Sequence, residues 1–122
     1  MNGWFLAATA IAALTCVIHA TLGGRETARP LLASDLGKVA KYTNYYCWHL
    51  VTIVLAGLAL AFGLVATGEG SRDLGLFAVL CAALFAAWSL IMIARFRLKP
   101  GHFPQWALFL PIAVCGGLGL WM

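Results

Sequence analysis

The chain has 122 residues, 63% of them hydrophobic and only 10% charged, with a formal charge of +4. Soluble domains carry roughly a quarter charged residues, so this composition excludes a water-facing globular surface and makes lipid the main solvent. One domain is all the length allows. No nucleic-acid motif accompanies the basic balance, so no nucleic-acid partner is expected.

Four apolar runs follow in chain order, at residues 4–22, 45–66, 74–94 and 106–121. Each approaches the roughly 20 residues that cross a hydrocarbon core. Lipid demands internal backbone hydrogen bonds, and alternating barrel strands are absent, so the expected fold is all-α. It is a polytopic membrane protein, with four transmembrane helices in an antiparallel bundle. The first run has no charge before Trp4 and no clear small-x-small cleavage site, so it reads as a retained span rather than a signal peptide.

The first loop, "GGRETARPLLASDLGKVAKYTN", is long for a helix connection. Gly23 and Gly24 are expected to end the first helix. Ser34 has the character of an N-cap with Asp35 behind it. Leu32, Leu36, Val39 and Ala40 recur at helical spacing, predicting a short amphipathic interfacial helix in this loop that can run on into the second span.

The cations set the expected orientation. Arg25, Arg29, Lys38 and Lys41 lie in the first loop, and Arg95, Arg97 and Lys99 in the third. Only Arg72 lies in the second. Lys and Arg are retained on the cytoplasmic side. Both termini are therefore expected to be extracytoplasmic, in a multi-pass protein of the plasma (inner) membrane. Trp4, Trp106, Trp121 and the cluster Tyr42, Tyr45, Tyr46 and Trp48 suit the aromatic belts at span ends.

Two of the three histidines stand near the cytoplasmic ends of spans. At about 100° per residue, His19 shares a helix face with Phe5, Ala8, Ala12, Thr15 and Cys16. His49 groups with Tyr42, Tyr45, Tyr46, Thr52, Ala56 and Gly63, and Val51, Val54, Leu58 and Phe62 fall on the lipid side. Small-residue faces are the ones that pack between helices in lipid, so both rings are expected to point inward at one level, with Trp88 and Ser89 near the same depth.

Such a layer has several readings. His19 and His49 are candidate axial ligands of a haem. With Cys16 they are candidate ligands of a transition metal. With Tyr45, Tyr46 and Trp88 they form a candidate quinone or cofactor site. The bland reading is that each ring bonds a neighbouring carbonyl and fastens two helices. Cys47 lies about 200° from His49, which removes a full Cys2His2 set.

Ala8 and Ala12, then Ala78, Ala82 and Ala86, then Ala113 and Gly117, are expected helix-contact positions. "VCGGLGLWM" is rich enough in glycine to be a docking surface or a frayed end. Small multidrug-resistance transporters share the size and span count, but their first-span carboxylate has no counterpart here. No catalytic constellation emerges and no reaction is assigned. The leading expectation is an accessory or partner-binding subunit of a membrane assembly, with the bilayer and other membrane subunits or further copies as partners. The alternative is a redox or ligand-binding protein using His19 and His49.

Overall fold

A helix that saturates its own backbone hydrogen bonds is the cheapest solution in lipid, and every long apolar run takes it. The computed structural model describes residues 1–122. Helix α1 covers Gly3–Ile18, passes without a break into a π-helical stretch at His19–Ala28, and continues as α2 over Arg29–Ala33. Helix α3 spans Lys38–Thr67, α4 Arg72–Phe96 and α5 Gln105–Trp121. The continuous first helix, α3 and α4 are long and apolar enough to cross a membrane, whereas α5 is shorter, at 17 residues.

The first loop departs from expectation. Gly23 and Gly24 do not stop the helix, because neither takes the left-handed backbone that such a stop needs; the only positive-φ residues are Gly68 and Arg97. Ser34 ends a helix rather than starting one. Its hydroxyl and its N–H both return to the Leu31 carbonyl, at 2.6 and 3.2 Å, on extended backbone. The helical periodicity around Val39 belongs to α3, which begins at Lys38 and runs through the expected boundary at Tyr45. The helical residues of this loop are thus the end of the first helix and the start of the second. Pro30 stands inside this continuous helix, just past the π-helical stretch, and withholds one backbone N–H from it.

The Asn2 N–H bonds the Ala66 carbonyl at 3.0 Å, so the start of α1 meets the end of α3. Both helices run about 45 Å against a hydrocarbon core of about 30 Å. At the far end from this contact, the two helices form a hairpin carrying the charges of the first loop. At the other side Gly68, with φ +86°, closes α3, and the Ser71 hydroxyl caps α4 by accepting the Leu74 N–H.

Around the bundle the order is α3, α1, α5, α4. The α1–α3, α1–α5 and α4–α5 seams are extensive, and the α3–α4 seam is sparse. The expected alanines of α1 and α4 are indeed buried: Ala8, Ala12, Ala78, Ala82 and Ala86. On α5 the buried line is Phe109, Ile112, Gly116 and Gly119, one position off the expected Ala113 and Gly117. Two of the three glycines of the C-terminal stretch, Gly116 and Gly119, are used internally. A Cβ on Gly116 would lie 2.8 Å from the Phe62 ring, and one on Gly119 3.0 Å from Phe5. Phe5 and Phe62 in turn stack with centroids 6.0 Å apart.

Candidate functional site

The first place to look is the α1–α3 seam, where the histidines were expected to meet. His19 does enter it. Its ring lies flat on the Trp48 indole, with centroids 3.9 Å apart and planes at 19°. Its Nε2 is 3.2 Å from the Trp48 carbonyl. A carbonyl only accepts, so Nε2 carries the proton and donates. The far edge of the indole reaches Gly23, where a Cβ would come within 2.8 Å of Cη2. Trp48 therefore fills a notch made by His19 and Gly23, one turn apart, within the π-helical stretch. Short π segments tend to occur where a helix accommodates a specific contact, and here the contact is this indole.

His49 behaves differently. It is exposed on the flank of α3, with its ring edge-on to Tyr45 at 4.7 Å. The expectation that both rings point inward fails for this one. The buried face of α3 includes Leu55, Leu58, Phe62 and Ala66, centred roughly 135° around the helix from His49. Choosing the face with the small residues misleads on α3. The small residues are supplied by α1 and α4, so α3 contributes the large side chains that fill the space between them. Leu58 and Phe62, expected to face lipid, are 4% and 0% exposed.

The other candidates disperse. The Cys16 Sγ is 3.8 Å from the Thr52 carbonyl. Tyr46 is exposed, and Trp88 lies on α4, away from the histidine seam. No three His, Cys, Asp or Glu side chains converge where they could hold a metal ion. A bis-histidine haem also fits poorly. Nε2 of His19 donates to the Trp48 carbonyl, which leaves Nδ1 as its one free ligand atom, and His49 is outside the seam. As found, His19 bonds the Trp48 carbonyl across the α1–α3 seam.

A second region was missed by sequence reasoning. Near the basic end, α3 and α4 diverge and leave a cleft of about 360 Å³. Leu50, Val51 and Val54 form one wall. Phe85, Trp88 and Met92 form the other, and Leu98 and Phe103 of the third loop close the end. Of its 12 lining residues 10 are hydrophobic, so its contents must be apolar; the exceptions are Ser89 and Gln105. Ser89 is occupied, since its Oγ accepts the Trp106 N–H at 3.1 Å. Arg97 closes α4 in the left-handed conformation, with φ 53°, and this turn brings Leu98 back against the cleft. The available signal was the pairing of Val51 and Val54 with Trp88, which looked like lipid-facing surface on each helix taken alone.

No protein-family model matches this sequence, and neither curated proteins nor solved structures give a match to it. The site therefore has to be read from its own chemistry.

Proposed function

We propose that this chain is a small multi-pass membrane component that receives a hydrophobic guest between α3 and α4, and that it serves as an accessory or partner-binding subunit of a membrane assembly. The observation that carries the reading is the cleft. Three seams of the bundle are extensive, and the fourth is sparse and open at one end with an apolar lining. Apolar pockets of about 300–1,000 Å³ are the usual size of small-molecule sites. Val54→Trp, which fills the cleft, should abolish capture of a hydrophobic fluorophore or a labelled chain while helix content stays constant. Unchanged capture would remove the reading.

The accessory role rests on the projecting hairpin. Beyond the length a bilayer needs, it carries Arg25, Glu26, Arg29, Lys38 and Lys41, and it leaves Leu36 and Val39 exposed at 50% and 83%. An apolar flank among charges at the membrane surface suits another membrane subunit. Isolation in mild detergent should recover a stoichiometric partner that Val39→Glu releases. A lone monomer under the same conditions counts against the role. The cation distribution, seven against one, favours extracytoplasmic termini in an inner membrane. Reporter fusions at residue 122 test that directly, since a C-terminal reporter active only in the cytoplasm reverses the orientation.

A further inference from the structure

Resting on the cleft as the guest site, we infer that the guest is one acyl chain of an anionic phospholipid, with its phosphate held at the basic rim formed by Arg97 and Lys99. Size argues first. A helix about 10 Å across sweeps about 80 Å³ per Å of length, so 360 Å³ takes less than one 5.4 Å turn. A partner helix is too thick. A single chain is not: at about 30 Å³ for each water-sized group, the cleft holds roughly a dozen carbons.

The distribution of polar groups argues next. A guest with a neutral hydrogen-bonding head would need free donors inside the cleft. The polar lining is only Ser89, whose Oγ already takes the Trp106 N–H, and Gln105, an exposed residue at the start of α5. The walls therefore offer hydrocarbon, and the charge sits outside. Leu98 lines the cleft, and its two chain neighbours, Arg97 and Lys99, are both exposed. His102 likewise flanks the lining residue Phe103. Residues 95–105 contain three cations and no Asp or Glu, so the rim holds an unneutralised positive field at the mouth of an apolar slot. A tail in the slot and an anionic head at the mouth complement both features. The left-handed backbone of Arg97 fixes this geometry, since it turns the chain so that residue 98 returns to the cleft while residue 97 stays outside.

The test is native mass spectrometry of the whole protein, titrated in detergent with phosphatidylglycerol and separately with phosphatidylcholine of the same chains. Wild type should retain one phosphatidylglycerol with at least a fivefold preference, about the value of one interfacial cation. Arg97→Gly with Lys99→Gln should keep lipid binding but bring the two lipids within about twofold, because these side chains are exposed and glycine suits the backbone at position 97. Val54→Trp should lose both lipids. Equal retention of both lipids by wild type, or displacement of both by a neutral long-chain quinone at similar concentration, would overturn the headgroup assignment and leave the cleft as a guest site. Full lipid retention by Val54→Trp would overturn the cleft itself. If Val54→Trp does not fold, the exposed rim variant still decides the headgroup, and Val51→Phe replaces it as the filling test.

Discussion

The two ends of the bundle are built on opposite rules. At the end where α1 begins, Asn2 ties three helices. Its N–H bonds Ala66 of α3, its Nδ2 donates to the Gly119 carbonyl of α5 at 2.9 Å, and its Oδ1 caps α1 by accepting from Trp4 and Phe5. Below it Phe5 lies against Gly75 and Gly119, and Phe62 against Gly116, so each aromatic ring fills the room glycine leaves. At the basic end the large residues of α3 and α4 face a gap. Backbones pack closely at one end and separate at the other.

This contrast is easiest to break at the closely packed end. Phe62 is fully buried between helices, and Phe62→Ala should cost about 3 kcal/mol or more through the cavity it leaves. Thermal unfolding in detergent, followed by circular dichroism, measures it. A loss under about 1 kcal/mol would mean that the glycine–aromatic contacts do not hold the end together. Asn2→Ala comes next, with an expected loss of about 1–2 kcal/mol from the helix cap and the interhelical bond to Gly119. If Asn2→Asp, which keeps the capping oxygen but not the Nδ2 donor, matches wild type, the cap alone explains the effect.

Much of this division escaped sequence reasoning, for identifiable reasons. The helices were readable because long uncharged apolar runs have only one backbone solution in lipid. The inner faces of α1 and α4 were readable because alanines spaced four apart mark close approach. The inner face of α3 was not, since which partner supplies the small residues is a property of the pair. Trp48 looked like an interfacial aromatic until Gly23 and His19 were seen to form its socket. Asn2 sits in no pattern at all, and its partners come from residues as distant as Gly119. Val51 and Val54 look the same whether they face lipid or a cleft, because both are apolar.

The seam between these two ends offers an intermediate test. His19→Ala removes the bond to the Trp48 carbonyl and the stacked ring together, with an expected loss of about 1–2 kcal/mol. His49→Ala, at an exposed position, should stay within about 0.5 kcal/mol. Equal losses from the two would restore them as a matched pair. A Soret band or bound metal in purified wild type, absent from His19→Ala, would make the ring a ligand instead of a fastener.

The smallest stability effect sharpens the comparison most, because it applies the same change to both ends. Adding bulk at Gly116 meets Val79 at 2.7 Å and Phe62 at 2.8 Å, so Gly116→Val should lose about 1–3 kcal/mol by overpacking. Adding bulk at Val54 meets open space. Val54 is 40% exposed and lines the cleft, so Val54→Phe should move stability by less than about 0.5 kcal/mol in either direction. Extra dispersion contacts with Phe85 and Trp88 can even make it slightly favourable. Matched unfolding curves for the two variants read the difference directly. If Val54→Phe is as damaging as Gly116→Val, then α3 and α4 pack closely in the membrane and the gap does not persist there. If it is neutral and guest binding falls, the open seam is a property of the folded protein that it maintains without help from the occupant.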